Sequence, residues 1–207
     1  MIFEYPTEPQ ERRHGPAGYA GYPSYKPWLR DDFTFRCVYC LSRERWSRRG
    51  QTSFSVEHTT PQADDPGQRT EYANLLYACT DCNSSRQDRA VLDPCRVALG
   101  EHLRVAEDGA VEGLTPEGRA HVRVLGLDDP ALTEFRGRLL ALVRQYESDV
   151  RLAADPDARR LLHRWTGYPE DLPDLAALHP PGGNSQPAAV RDCHYERRKR
   201  GELPESY

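Results

Sequence analysis

The distribution of apolar and polar residues predicts short strands followed by a helix in the first half of the chain. The run TSFSV at 52–56 is expected to form one strand, and the run EYANLLYAC at 71–79 leads into a pair of cysteines. Asparagine and serine are favoured at helix starts. A helix is therefore expected to begin near Asn83 and to run through Arg89.

Helices dominate the prediction for the second half. An Asp-Gly pair lies between two alternating runs at 102–114, which is typical of a β-hairpin. The sequence Thr-Pro-Glu then opens a helix over 115–125, with proline at its first position. Another helix is expected over 157–165. The clearest helix follows Pro130, because apolar residues recur there every three or four positions and form one buried stripe. The stripe comprises Leu132, Phe135, Leu139, Leu142, Tyr146 and Val150.

Length and composition favour one domain with appendages over two full domains. Only 38% of the 207 residues are apolar, and 17 prolines and 15 glycines imply much irregular chain. Such a chain favours a small core that gains stability from a bound metal. The predicted segments are a Pro- and Tyr-rich extended arm over 1–30, a core with the cysteine pairs over 31–100, a hairpin and helical extension over 101–178, and a linker with a charged tail over 179–207.

Charge is unevenly distributed along a chain whose formal net charge is −4. That balance does not favour a nucleic-acid coat protein, for which a basic domain is expected. Arginines are nevertheless concentrated at 36–49, and five cations lie within 191–200, so a polyanion would be met at a local patch. No apolar run approaches the roughly 18 residues of a membrane span. The amino terminus lacks a signal-peptide pattern, so we expect a cytoplasmic protein without a membrane partner.

Four of the six cysteines form two matching pairs, CVYC at 37–40 and CTDC at 79–82. Two-residue spacing lets a tight turn present both sulfurs to one ion, and four thiolates suit tetrahedral zinc. The predicted ligands of a structural zinc ion are Cys37, Cys40, Cys79 and Cys82. Two disulfides, or a redox-active pair, are the alternatives, although a reducing cytosol favours metal. Cys95 and Cys193 are interpreted as plain thiols.

Polar residues at a defined spacing lie around the cysteine pairs. Glu57 and His58 are adjacent, Asn74 follows sixteen residues after His58, and Asn83 follows nine residues later. With their neighbours, these residues resemble the HNH endonucleases, the ββα-metal nuclease superfamily, over roughly residues 35–89. The matching pieces are FRCVYC at 35–40, SVEHTTP at 55–61, YANL at 72–75 and CTDCNSSR at 79–86. The resemblance implies an α+β fold, with a ββα-metal core and a four-cysteine zinc site followed by a mainly helical C-terminal extension.

The resemblance implies an endonuclease that hydrolyses phosphodiester bonds of DNA with a divalent metal ion. His58 suits the general base, because imidazole titrates near neutrality. Glu57 and Asn83 offer hard oxygens to Mg²⁺ or Mn²⁺, although many family members carry Asp in place of Glu57. Adjacent strand residues point to opposite faces, so the strand is expected to end or bulge at Glu57 and His58 for both to converge. Asn74 would bond backbone across its turn and hold His58.

Several of these residues have simpler interpretations. Asn74 also suits a turn, and Asn83 alone also suits a helix cap. Five arginines are predicted to contact the nucleic-acid backbone, with solvent exposure as their alternative: Arg45, Arg48, Arg49, Arg86 and Arg89. The alternative function is a zinc-stabilised nucleic-acid- or protein-binding module without catalysis. RNA cleavage stays open, because little in the sequence recognises a 2′-hydroxyl.

A second, less specific resemblance covers residues 92–136. An Asp-Pro, a hairpin with a glycine turn, a helix and the sequence LGLDD look like the downstream region of a subgroup of bacterial HNH proteins. That subgroup includes nuclease partners of ATPases in Septu-type antiphage operons and some retron-associated systems. The resemblance implies antiviral defence with an ATPase on a separate chain, since this sequence has no GxxxxGK[ST] loop. The oligomeric state is left open, with a homodimer as one alternative.

Overall fold

The computed structural model describes residues 2–60 and 66–207. The chain divides into two compact units. The cysteine unit, named after the paired cysteines, consists of Gln10–Ser84 and Pro169–Pro204. The hairpin unit consists of Met1–Pro9, Ser85–Tyr168 and Glu205–Tyr207. Pro61, the last residue of the SVEHTTP motif, lies outside the described residues.

Helices and short strands are mixed along the chain, as expected for an α+β fold. The α-helices are α1 (Lys26–Asp32), α2 (Thr80–Arg86), α3 (Leu99–His102), α4 (Pro116–Leu125), α5 (Pro130–Ser148), α6 (Val150–Ala154), α7 (Pro156–Thr166), α8 (Pro187–Arg191) and α9 (His194–Lys199). The strands are β1 (Phe54–His58), β2 (Leu75–Cys79), β3 (Leu103–Val105) and β4 (Val111–Gly113). Short 3₁₀ helices cover Tyr22–Tyr25, Glu44–Trp46, Gly50–Ser53, Pro66–Gln68, Tyr72–Asn74 and Leu175–Ala177. Over the described ranges, no helix has the length and apolar character needed to cross a membrane.

The centre of the cysteine unit is an antiparallel pair of strands that leads directly into α2. The register of β1 and β2 runs without interruption from Phe54 opposite Cys79 to His58 opposite Leu75. All five residues of β2 are buried, which explains its unbroken apolar sequence. The rings of Phe54 and Tyr77 stack with centroids 5.1 Å apart, a diagonal cross-strand contact that helps to fix the register. The order β1, β2, α2 is the strand–strand–helix arrangement predicted for this region.

A buried ion pair attaches α1 to the chain that follows the first cysteine pair. Arg30 donates from Nε and Nη2 to the two carboxylate oxygens of Glu44, at 2.9 and 2.8 Å. The hydroxyl of Tyr77 donates to the same carboxylate at 2.7 Å. Burial and then the Glu44 charge raise the pKa of Tyr77, so its hydroxyl remains a donor. A buried ion pair is tolerated when further hydrogen bonds satisfy it, and removing one partner costs about 3–5 kcal/mol.

Residues 179–207, predicted as a linker and a charged tail, include α8 and α9 and are mostly half-buried or exposed, but Cys193 and His194 are packed. Cys193 is fully buried and His194 is 5% exposed. The backbone N–H and Nδ1 of His194 both lie 2.8 Å from one carboxylate oxygen of Asp31 in α1. These contacts join residues 163 positions apart. No local pattern of apolar or charged residues could have indicated them.

Asp31 also holds part of the N-terminal arm. His14 Nε2 lies 2.9 Å from the second carboxylate oxygen of Asp31, and Arg13 donates to the same oxygen at 2.6 Å. Burial acts to raise the pKa of Asp31, but hydrogen bonds from His14 and His194 outweigh it and hold that pKa below its usual value. The arm predicted to be extended over 1–30 becomes helical at Tyr22.

The hairpin unit contains the predicted hairpin and helices. β3 and β4 pair antiparallel, and Gly109 in their turn has a φ of 91° that favours glycine. Thr115 accepts a hydrogen bond from the backbone of Gly118 and caps α4. Asp129 caps α5 by accepting from two backbone N–H groups.

The apolar stripe predicted along α5 is shorter than expected. Leu139 is buried, but Val150 is 83% exposed and belongs to α6. The helical path is interrupted at Asp149, whose backbone is extended and whose carboxylate accepts from the N–H groups of Arg151 and Leu152 in α6. A new helix start therefore replaces the last turn of the predicted stripe.

Candidate active site

The four paired cysteines converge in the cysteine unit. Their sulfur atoms all lie within 4.8 Å of one another, and all four residues are buried. The Sγ atoms of Cys40 and Cys79 are 3.7 Å apart. Sulfur atoms around tetrahedral zinc are about 3.8 Å apart when each Zn–S bond is about 2.3 Å, so the cluster has the dimensions of a structural zinc site. None of the six cysteines, all in the described part of the chain, forms a disulfide.

Two different local structures present these sulfurs. In the first pair, Leu41 adopts a left-handed φ of 62° and donates its N–H to the Cys37 carbonyl, which closes a tight turn. In the second pair, Cys79 ends β2 and Cys82 lies in the first turn of α2. The N–H of Cys82 points to Cys79 Sγ at 3.4 Å. Backbone donors of this kind support a thiolate, which is the form that binds metal.

The sulfurs perturb one another's titration. Hydrogen bonding from Cys37, followed by that from Cys79, lowers the pKa of Cys40 well below its usual value. The corresponding contacts with Cys37 and Cys40 raise the pKa of Cys82. A single thiolate is thus stabilised by neighbouring S–H groups, whereas four buried thiolates need a cation between them. A divalent soft metal such as zinc fits this donor set.

Glu57 and His58 are the last two residues of β1 and are both buried. The strand ends at His58, and no bulge interrupts its pairing. Strand alternation places Ser55 and Glu57 on one face of the β1–β2 pair and His58 on the other face. Both residues are paired within a regular strand that ends at His58, so the convergence of Glu57 and His58 on one ligand, which an end or a bulge was expected to allow, stays a prediction.

His58 is held from two directions. Its Nε2 lies 3.0 Å from the backbone carbonyl oxygen of Arg69, so Nε2 must carry the proton in that hydrogen bond. Its ring also meets the ring of Tyr22, with centroids 4.8 Å apart and planes at 79°. In the neutral imidazole the remaining nitrogen, Nδ1, then has the lone pair that can accept a proton.

Asn74 closes the loop that connects β1 to β2. Its Oδ1 accepts from the backbone N–H of Thr60 at 2.8 Å, and its Nδ2 donates to the Thr60 carbonyl at 3.2 Å. Nδ2 also lies 3.2 Å from the carbonyl of Gln68. The carboxamide therefore ties the chain just after His58 to the chain just before Arg69. These contacts have the geometry that the orienting role requires, and the role itself stays a prediction.

Asn83 lies inside α2, which corrects the predicted helix start. The helix begins at Thr80, because β2 extends to Cys79 and the chain turns at once to bring Cys82 beside it. The interpretation of Asn83 as a helix cap is therefore wrong. Its Nδ2 donates to Ser55 Oγ at 2.8 Å, which anchors the carboxamide on the face of β1 that also bears Glu57.

The arginines of the first predicted patch lie in the cysteine unit. Arg48 and Arg49 are exposed, and Arg45 is half-buried. Arg45 lies in the 3₁₀ helix Glu44–Trp46, and Arg48 and Arg49 lie between it and the 3₁₀ helix Gly50–Ser53, which leads into β1. Their position on the segment before β1 is compatible with contact to a polyanion.

Arg86 and Arg89 belong to the hairpin unit and differ from the expectation for phosphate contacts. Arg86 is 4% exposed, so a direct phosphate contact would require this part of the unit to open. Burial, followed by the charges of His102 and Arg86, lowers the pKa of His121 to about 4. Arg89 is exposed, but its guanidinium donates to the backbone carbonyls of Ser85 and Val124. Both side chains thus have structural contacts that the sequence did not indicate.

The comparison with known protein families locates a nuclease motif in this region. Residues 37–89 match the model of the HNH endonuclease family. The match spans about a quarter of the chain and includes both cysteine pairs, β1, β2 and α2. No curated protein matches the chain. The matched segment and the buried cysteine cluster fit an HNH motif with a four-cysteine knuckle compatible with structural zinc, and they suggest a nuclease-type function.

Sequence reasoning missed residues that contact the motif through backbone or ring atoms. Tyr22 lies before the matched segment, and Arg69 contributes its carbonyl rather than its side chain. Ser55 could have been found, because strand alternation puts it on the face of Glu57. Thr60 could also have been found as the backbone partner of a loop asparagine.

Proposed function

We propose that this protein is a metal-dependent endonuclease that hydrolyses phosphodiester bonds in DNA, with His58 as the general base. The observation that carries the proposal is the contact of His58 Nε2 with the Arg69 carbonyl at 3.0 Å. It fixes the tautomer in which Nδ1 can accept a proton from water. Any buried histidine needs a hydrogen-bond partner, so the support for catalysis comes from the position of this contact, at the end of β1 within the HNH match.

Glu57 and Asn83 are the residues that would hold the catalytic ion. Both lie at the same face of β1. Asn83 Nδ2 donates a hydrogen bond to Ser55 Oγ, and Glu57, two residues after Ser55, is on the same face as Ser55. With Nδ2 used in that way, the carboxamide presents Oδ1, a hard oxygen that suits Mg²⁺ or Mn²⁺. When bound, the ion would supply Lewis-acid stabilisation of charge on the phosphate and the leaving oxygen.

The remaining residues would prepare the site. Asn74 holds the loop that carries Thr60, and thereby keeps the Arg69 carbonyl in reach of His58. Glu57 and His58 are 5% and 6% exposed, so bulk solvent screens their electrostatic interactions only weakly. A zinc ion on the four cysteines would stabilise the β1–β2 strand pair and α2. Its contribution to the free energy of folding would be on the order of 10 kcal/mol.

DNA is the proposed substrate, and the exposed Arg48 and Arg49 with the half-buried Arg45 are its proposed backbone contacts. A non-catalytic zinc-stabilised module would use the cysteines and arginines but not the held tautomer of His58. An effector role in antiphage defence, with an ATPase on another chain, rests on the resemblance of residues 92–136 alone. Co-purification with ATPases encoded next to its gene tests that role.

Incubation with supercoiled plasmid tests the activity. The purified chain should convert the plasmid to nicked or linear DNA with Mg²⁺ or Mn²⁺, and EDTA should stop the conversion. A matched RNA substrate in the same buffer decides between DNA and RNA. Tight plasmid binding without cleavage under any divalent ion would favour the binding module.

A further inference from the structure

Tyr22 is an aromatic residue outside the HNH match that reaches the proposed base. It begins the 3₁₀ helix Tyr22–Tyr25, just before α1, whereas the matched segment begins at Cys37. Its half-buried ring meets the His58 imidazole in an edge-to-face arrangement, with centroids 4.8 Å apart and planes at 79°. Such pairs have a preferred geometry and resist rotation of either ring.

Arg69 contacts both His58 and Tyr22. Its backbone carbonyl accepts from His58 Nε2 at 3.0 Å. Its exposed guanidinium lies over the Tyr22 ring, 5.4 Å from the centroid. A cation over the face of tyrosine is attracted by the ring quadrupole. His58, Tyr22 and Arg69 therefore contact one another pairwise.

The two contacts to His58 restrict different motions. The hydrogen bond fixes where Nε2 lies, but it leaves the ring able to rotate about the line through that bond. The Tyr22 ring lies against the imidazole and removes this freedom, so that Nδ1 is aimed in one direction. Orientation of a reacting group is a large part of catalytic efficiency, and a misplacement of about 1 Å can cost on the order of 100-fold in rate.

We infer that Tyr22 is a positioning residue for His58, and that the segment before the HNH motif is thereby part of the active site. This inference rests on the proposed role of His58 as base. Arg69 supports it twice, through the carbonyl that sets the tautomer and through the guanidinium that holds the Tyr22 ring in place.

The test compares ring variants at one position. Tyr22→Phe keeps the aromatic ring and should retain the wild-type kcat. Tyr22→Ala and Tyr22→Leu remove the ring, and kcat should fall by about 10-fold or more with KM little changed. Tyr22→Leu keeps apolar volume, so it remains informative if Tyr22→Ala fails to fold. Tyr19→Ala is the matched control, because Tyr19 is an arm tyrosine that packs on Tyr25.

A spectroscopic readout makes the test independent of cleavage. Nitrogen-15 NMR of the imidazoles should show His58 as the Nε2–H tautomer in the wild type, in Tyr22→Phe and in Tyr19→Ala. In Tyr22→Ala and Tyr22→Leu the Nε2–H tautomer should persist, because the Arg69 carbonyl still accepts from Nε2, but carbon-13 relaxation of the His58 ring C–H groups should show a more mobile ring than in the wild type. Wild-type kcat, or wild-type mobility of the His58 ring, in both ring-deleted variants would overturn the inference and leave the proposed function intact. Absence of cleavage by the wild type would instead contradict the proposed function, while the NMR result would still decide whether Tyr22 fixes the ring.

Discussion

Replacement of Asn74 by alanine tests how the loop after β1 keeps His58 in place. The wild-type carboxamide makes hydrogen bonds to the N–H and the carbonyl of Thr60 and to the carbonyl of Gln68. Asn74→Ala removes all of them at a buried position. The Arg69 carbonyl, one residue after Gln68, then loses the support that holds it near His58 Nε2.

The magnitude follows from the number and exposure of these bonds. Each hydrogen bond contributes about 0.5–1.5 kcal/mol net to stability. Thr60 is half-buried and Gln68 is exposed, so water replaces part of the loss, and we expect a total of about 1–3 kcal/mol. The loss of orientation at His58 should lower kcat by about 10- to 100-fold. Zinc content should not change, because these three hydrogen bonds of the Asn74 carboxamide go to Thr60 and Gln68 and not to a cysteine.

The assay combines chemical denaturation, plasmid cleavage and hydrogen exchange at the Thr60 amide. Asn74→Asp is the companion variant, since it keeps an acceptor for the Thr60 N–H but directs lone pairs at the two carbonyls. Asn74→Asp should therefore also lose activity, while protecting the Thr60 amide better than Asn74→Ala does. If Asn74→Ala kept the wild-type kcat while its Thr60 amide exchanged hydrogen faster than in the wild type, the idea that this loop orients His58 would be refuted.

Further predictions concern the metals and the buried charges. Elemental analysis of Cys79→Ser should show less zinc than in the wild type, and its melting temperature should be lower. Added Mg²⁺ should not restore the melting temperature. Asn83→Ala should lose cleavage yet keep its zinc, and loss of zinc in this variant would contradict the separation of the two metal sites. Glu44→Gln removes the charge of the buried partner of Arg30, while the exposed Asp171 stays 3.0 Å from Arg30 Nη2, so it should cost up to about 3 kcal/mol in denaturant unfolding. The lowered pKa of Asp31 means that its stabilising contribution is present above about pH 4 and is lost on further acidification. Asp31→Asn should therefore flatten the acid-unfolding curve followed by circular dichroism.

Local sequence signals predicted those parts of the fold that depend on nearby residues. Thr115 and Asp129 cap α4 and α5 through contacts within three residues, so their positions could be predicted from helix-start chemistry. Gly109 supplies the positive φ of the hairpin turn. The cysteine pairs were predictable because a two-residue spacing suffices to bring two sulfurs together.

The start and end of α2 were harder to predict. The cap preferences of asparagine and serine favoured a start near Asn83, but the tertiary demand that Cys79 and Cys82 approach one another moved it to Thr80. The helix ends at Arg86, because Gln87 adopts a left-handed φ of 49°. The geometry of the second cysteine pair thus overrode cap propensity at the start, and a non-glycine residue in the left-handed region set the end.

Contacts between distant parts of the chain left no sequence signal at all. His194 meets Asp31 across 163 residues, and Tyr22 reaches His58 from outside the HNH motif. Arg86 looked like a surface cation on the helix that follows the cysteines, yet it is buried. For the candidate site, sequence therefore identified the chemistry-bearing side chains, while the structure was needed to find the groups that hold them.

The central claim is that His58 acts as the base of a metal-dependent nuclease, and the most direct measurement is the plasmid-cleavage rate of His58→Ala. His179→Ala is the matched control, because it removes an exposed histidine elsewhere in the cysteine unit. With Mg²⁺ or Mn²⁺, His58→Ala should lose cleavage by about 100-fold or more, while its zinc content and its plasmid affinity stay at wild-type values. His179→Ala should cleave like the wild type. Cleavage by purified His58→Ala at the wild-type rate would contradict the account.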